Sequence, residues 1–86
     1  DPGFYAVSPV EIPQFNVSPN PARNTVNILF TAPNARLSIC DLNGKKLIVK
    51  NDFTGGEINI EYLKAGVYVV KLETDEGVGV RKLVVE

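Results

Sequence analysis

Residues 35–50 read ARLSICDLNGKKLIVK and predict a β-hairpin. Apolar side chains occupy every second position of its first half, at Ala35, Leu37 and Ile39. That alternation is typical of a strand with one buried face. Asn43 and Gly44 both tolerate the positive φ of a type I′ turn, so the chain is expected to reverse there and to return over residues 46–50.

Short alternating stretches continue on both sides of this hairpin, and turn residues separate them. The predicted strands are Phe15–Ser18, Thr25–Thr31, Ala35–Asp41, Lys46–Lys50, Glu57–Glu61, Val67–Thr74 and Val78–Val85. No stretch has the periodicity of a helix. This spacing predicts an all-β fold, a Greek-key sandwich or barrel of about seven strands.

The alternation also predicts which side chains are buried. The predicted core positions include Phe15, Val26, Ile28, Phe30, Ile58, Ile60 and Tyr68, whereas Arg36, Ser38 and Cys40 are expected on the opposite face of their strand. Residues 51–56 are predicted to form a polar loop that exposes Phe53, and Tyr62 is expected to be half covered. Asp75, Glu76 and Gly77 are expected to form the last turn.

The composition indicates one small globular domain. The chain has 86 residues and a net charge of −1, without any block of like charge, so we expect no nucleic-acid partner. Residues 1–14 contain three of the six prolines and are predicted to be an extended linker. Because the first residue is Asp1 rather than Met, we expect the chain to be a processed piece of a longer protein.

Several features argue against an enzyme. Histidine is absent, and the single cysteine, Cys40, lies mid-strand, where a half-buried packing role is expected. Asp52 and Glu57 flank the polar loop as a weak candidate cation site, but the chain has no dense run of acidic ligands. We expect no catalytic residue, no metal and no cofactor.

One motif has a specific structural interpretation. The pattern Leu63-x-x-Gly66-x-Tyr68 resembles the tyrosine corner of immunoglobulin-like sandwiches, in which the tyrosine hydroxyl bonds to nearby backbone. An immunoglobulin-like Greek-key β-sandwich is what such a resemblance implies, whereas the spacing alone leaves a barrel open. The role of the motif is expected to be structural.

Four motifs in a fixed order resemble a known family. They are Val17-Ser18-Pro19-Asn20-Pro21-Ala22, Ala35 to Lys45 with Asp41 and Gly44, Leu63 to Lys71 with Gly66 and Tyr68, and Lys82-Leu83-Val84-Val85. Together they resemble the type A C-terminal sorting domain of type IX secretion cargo, over roughly residues 15–86. Cys40 departs from the family, which usually has an aromatic or aliphatic residue at that position.

The resemblance implies a secretion signal of a Gram-negative bacterium. The cargo upstream in the same chain would enter the periplasm, and an outer-membrane translocon would recognise the domain. A sortase would cleave within residues 1–14 and attach the cargo to the cell surface.

Recognition is expected at the end of the chain. The expected contact residues are Arg81, Lys82, Leu83, Val84, Val85 and Glu86, whose strand can present an edge. Pro19, Asn20, Pro21, Asp41, Gly44, Leu63, Gly66, Tyr68 and Lys71 are expected to act mainly in structure. Alternatively, the last strand only completes a sheet.

Two further possibilities stay open. The chain is alternatively a fibronectin-like accessory module that binds carbohydrate or protein at the cell surface. Exposed strand edges also make a strand-exchanged dimer of the isolated chain possible.

Overall fold

The computed structural model describes residues 15–75 and 77–86. The strands are β1 (Asn16–Ser18), β2 (Thr25–Leu29), β3 (Ala35–Cys40), β4 (Lys46–Phe53), β5 (Gly56–Asn59), β6 (Gly66–Thr74) and β7 (Gly77–Val85). The described residues form no helix, so nothing in them resembles a helical membrane span. The predicted all-β fold is confirmed.

The strands form two antiparallel sheets. One sheet has the order β1-β2-β5, and the other has the order β4-β3-β6-β7. Residues that alternate along the strands of both sheets are buried in one apolar cluster. Its fully buried members include Val26, Ile28, Leu37, Ile39, Val70 and Leu72. The arrangement is consistent with a β-sandwich, and the immunoglobulin-like detail stays a prediction.

Residues 51–56 were predicted to form a loop, but the structure places part of them in a strand. β4 continues through Phe53, which pairs with Ala35 across a shift of register. Asp52 adopts a positive φ of 52° within this irregular stretch, which explains why the sequence looks like a loop there. The prediction of an exposed Phe53 is wrong, because its ring is half-buried and stacks on Phe30 with 5.9 Å between centroids.

The β3–β4 hairpin is confirmed, but its turn differs from the predicted type I′. Gly44 has a positive φ of 89°, whereas Asn43 does not. The N–H of Gly44 donates to the carbonyl oxygen of Asp41. The Asp41 carboxylate accepts hydrogen bonds from the N–H groups of Asn43 and Lys45. Asp41 and Gly44 therefore fix the turn, as their predicted structural roles require.

The burial of Ser38 and of Tyr62 did not follow from the sequence. Ser38 lies on the face of β3 opposite the core positions, as expected, and it is fully buried in this inner strand of the sheet. Tyr62 is 68% exposed rather than half covered, since it follows the end of β5. Phe30 lies just beyond the end of β2 and is half-buried against the core, as expected of an apolar residue there.

Candidate functional site

The last strand, β7, lies at the edge of the four-stranded sheet and pairs with β6 along its whole length. Its side chains alternate, so Leu83 and Val85 point into the core and are buried. Arg81 and Val84 are half-buried, while Lys82 and Glu86 are exposed. The six expected contact residues are thus together, but two of them cannot be reached in the folded domain.

The outer edge of β7 is covered by the chain itself. The Nδ2 group of Asn20 donates to the carbonyl oxygen of Lys82 over 2.8 Å. The Oδ1 atom of Asn20 accepts the N–H of Val84 over 2.9 Å. One side-chain amide therefore imitates the donor and acceptor of a neighbouring strand.

Ala22 extends this contact toward the end of the chain. Its N–H donates to the carbonyl oxygen of Val84, and its own carbonyl oxygen accepts the N–H of Glu86, both over 2.8 Å. Ala22 forms a parallel bridge with Val85 and is fully buried. We call Pro19–Ala22 the clasp, because it holds the strand edge with backbone and side-chain bonds. The peptide bonds before Pro19 and Pro21 are both cis.

Arg81 closes the gap between the two sheets beside the clasp. Its guanidinium lies 4.6 Å from the centroid of the buried Phe15 ring. It also donates to the carbonyl oxygens of Phe15 and Val80. This cation–π contact and these bonds tie the start of the described chain to its last strand.

The tyrosine corner predicted from the sequence is confirmed. The Tyr68 hydroxyl donates to the carbonyl oxygen of Lys64 over 2.5 Å, and its ring is buried. Leu63 packs against the core just before it, and Gly66 begins β6. These residues position β6, on which β7 is paired.

Lys71 lies near the middle of the four-stranded sheet. It pairs with Ser38 of β3 on one side and with Val80 of β7 on the other. Its side chain is half-buried. It therefore differs from the other motif residues, because it presents a cation on the outside of the sheet.

These motifs match a known family. The model described as the secretion system C-terminal sorting domain matches residues 16–86, which include the clasp, the tyrosine corner and β7. The chain belongs to this family. It carries a type IX secretion sorting signal, which implies interaction with the type IX machinery and export to the cell surface or the extracellular space. No curated protein matches the chain in the comparison made with it.

The sequence offers Cys40, Asp52 and Glu57 of the sorting domain as candidates for reactivity or cation binding. Cys40 is half-buried, as expected for a packing residue. Asp52 and Glu57 are both exposed, and within residues 15–75 and 77–86 no group of three or more Cys, Asp or Glu side chains is placed to hold a metal ion. The predicted linker and processing segment, residues 1–14, lie outside the described residues.

A polar depression of about 430 Å³ lies at the far end of the same sheet of the sorting domain. Arg36, Asp52, Glu73 and Asp75 contribute charges of both signs to its lining. The Arg36 guanidinium there donates to Asn51 over 3.0 Å. This open depression has neither an apolar wall nor a convergent set of ligands, so it does not have the usual features of a small-molecule site.

The sequence did not reveal the partners of the clasp. The sequence identifies Ala22 only as the residue after Pro19-Asn20-Pro21, and it predicts Phe15 only as a core residue. Both make hydrogen bonds to β7 residues more than sixty positions away. The small apolar Ala22 directly after two prolines was the available signal, because it can be buried where a larger side chain cannot.

Proposed function

We propose that the outer-membrane translocon of the type IX machinery recognises this domain through side chains of the last strand while the cargo is in the periplasm. The observation that carries the proposal is the clasped edge of β7. The carbonyl oxygens of Val80, Lys82 and Val84 each accept a hydrogen bond from another group of the same chain. A partner therefore reads this strand by its exposed side chains rather than by adding a strand.

The side chains available for this contact are those of Lys82 and Glu86, with Arg81 and Val84 half-exposed beside them. Glu86 also forms an ion pair with Arg23 over 3.5 Å, next to the clasp. Leu83 and Val85 act indirectly, because their burial fixes the strand on the core. The contact surface thus combines two segments far apart in the sequence.

The later steps of the proposal are supported by the resemblance to the family. After translocation, a sortase cleaves within residues 1–14 and joins the cargo to the cell surface. The domain itself performs no catalysis in this scheme, and it acts only as the recognised part of the cargo. A strand-exchanged dimer of the isolated domain would use β1, β4 or β5 as its edge, since the clasp occupies the edge of β7.

The alternative of a carbohydrate-binding accessory module has less support. Its best aromatic candidate, Phe53, is half-buried and stacked on Phe30. Tyr62 is the exposed ring, and one ring makes a small platform.

The test either deletes the exposed end of β7 in a full-length cargo or reverses the charges of its side chains. Deletion of residues 82–86, or the pair Lys82→Glu and Glu86→Lys, is expected to retain the cargo in the periplasm of a host with the machinery. Lys64→Glu, a charge reversal at an exposed site near the tyrosine corner, is the matched control and should be exported. Export of the deletion variant at the normal rate would refute recognition through the last strand.

A further inference from the structure

The outer faces of the two sheets differ in chemistry. Along β3, β6 and β7 the residues that alternate with the core positions are directed away from the core. On the four-stranded sheet the outward residues include the polar Arg36, Ser38, Lys71, Glu73 and Lys82. They also include a set of apolar residues, with Val49 of β4 among them: Cys40, Val49, Val67, Val69, Val80 and Val84. We call this set the valine face.

The valine face is accessible to a partner. Val49 is 46% exposed, Val67 is 38% exposed and Val80 is 40% exposed. An antiparallel sheet with one solvated face usually alternates apolar inward residues with polar outward ones. A contiguous exposed apolar area is instead typical of an interaction site.

The three-stranded sheet shows what the solvated face of this domain looks like. Its outward residues include Asn16, Ser18, Thr25, Asn27, Glu57 and Asn59. Leu29 is the large apolar side chain among the outward residues of β2, and it is 49% exposed. The outer face of the three-stranded sheet is therefore mainly polar, whereas that of the four-stranded sheet exposes several apolar side chains.

The valine face also carries positive charge. Lys71 lies at its centre, and Lys82 lies opposite Val69 at its edge. Farther along the sheet, Arg36 lies opposite Glu73 in the register of β3 and β6. The fully buried Ser38 hydroxyl lies next to Lys71 and has no hydrogen-bond partner within the described residues. The face combines apolar area with two ammonium groups and an unsatisfied hydroxyl beneath.

We propose that the valine face docks on a protein surface that is apolar and carries carboxylates opposite Lys71 and Lys82. A second copy of the chain fits less well, because a two-fold contact between identical faces would bring the lysines of both copies together. A lipid surface fits less well too, since clusters of about four to eight basic residues mark such sites. The assignment of the docking protein to the type IX machinery rests on the proposed function.

The probe for the test is the outer-membrane translocon, purified in detergent from a host that has the machinery. The 86-residue chain carries the variant Val80→Glu or Lys71→Glu, and the matched control is Leu29→Glu on the other sheet. Val80→Glu on the valine face and Lys71→Glu beside it are each expected to weaken binding at least about tenfold, whereas the control changes binding by less than about twofold. Binding of the unsubstituted chain should weaken as NaCl is raised.

Folding of each variant is checked by urea unfolding and circular dichroism. If Val80→Glu does not fold, Val80→Thr and Lys71→Gln replace the charged variants, because threonine keeps the shape of valine and glutamine keeps a polar chain. Both replacements should weaken binding, as their charged counterparts do. Equal affinity for all folded variants would overturn the proposal.

Three other outcomes would also overturn it. They are loss of affinity through Leu29→Glu alone, a dimer in sedimentation that Val80→Glu dissociates, and binding to phosphatidylglycerol vesicles that Lys71→Glu abolishes. The proposed function fails separately, if deletion of residues 82–86 leaves export unchanged. A different result would contradict only the docking surface. In that result residues 82–86 are required for export, but Val80→Glu does not change binding to the translocon.

Discussion

The side-chain amide of Asn20 donates a hydrogen bond of 2.8 Å to the carbonyl oxygen of Lys82. Both residues lie within the stretch that the family model matches, near its two ends. The contact therefore helps the clasp to hold the exposed end of β7 in place. The structure of the last strand thus depends on residues of the clasp as well as on its own.

Replacement of Asn20 with Ala removes both hydrogen bonds from its amide to β7. We expect the free energy of unfolding to fall by about 1–3 kcal/mol, because each bond contributes roughly 0.5–1.5 kcal/mol. Asn20→Asp keeps the acceptor for Val84 and should cost less than Asn20→Ala. Urea unfolding measures this, and Asn27→Ala on the exposed face of β2 is the control. Equal effects of Asn20→Ala and Asn27→Ala would contradict the role of the clasp.

Tyr68→Phe removes the hydroxyl that bonds to Lys64 while it keeps the buried ring. The expected loss of stability is about 0.5–1.5 kcal/mol. Tyr68→Ala also creates a cavity and should cost roughly 3–5 kcal/mol. Thermal and urea unfolding give both values. Tyr62→Phe, at an exposed tyrosine, should leave stability unchanged, and an equal loss there would argue against the tyrosine corner.

Arg81→Ala removes the cation over the Phe15 ring and the bond to the Phe15 carbonyl oxygen. We expect a destabilisation of about 1–2 kcal/mol, because the ring is buried and the contact is partly shielded from water. The neighbouring exposed cation gives the control, since Lys82→Ala should change stability by less than about 0.5 kcal/mol. If Arg81→Ala unfolds at the same urea concentration as Lys82→Ala, Arg81 does not join the sheets as described.

Gly44→Ala tests the hairpin turn. No atom lies within 4 Å of the position that a Cβ would take, so the effect isolates the backbone conformation at a φ of 89°. The expected cost is about 1–2 kcal/mol for a left-handed alanine. Gly44→Asn should cost less, because asparagine adopts positive φ more readily. The free energies of unfolding of the two variants make the comparison, and an unchanged alanine variant would refute this description of the turn.

The sequence was sufficient for features that depend on near neighbours. The alternation of Leu37 and Ile39 predicted β3 correctly, and the spacing of Gly66 and Tyr68 predicted the corner bond. In both cases the physical cause acts over a few residues. Period-two burial and a tyrosine reaching a carbonyl four positions back are local relationships.

The sequence was insufficient where the deciding partner is distant or the backbone is irregular. Phe53 follows polar residues, so only its stacking on Phe30 shows that it belongs to the core side of β4. Asn20 reaches β7 across 62 positions, and no local pattern encodes that contact. The sequence likewise did not reveal the valine face. Alternation does not show which outward valines of different strands lie side by side, because this depends on the strand order and register of all four strands.

The account is tested most directly by transfer of the signal to an unrelated passenger. A fluorescent protein with a periplasmic export signal is fused to residues 15–86 and expressed in a host that has the type IX machinery. The fraction of fluorescence outside the outer membrane is then compared with that of the same passenger without the domain. We predict that the fusion is exported and that the passenger alone stays in the periplasm. Equal periplasmic retention of both proteins, with the fused domain folded, would contradict the central claim.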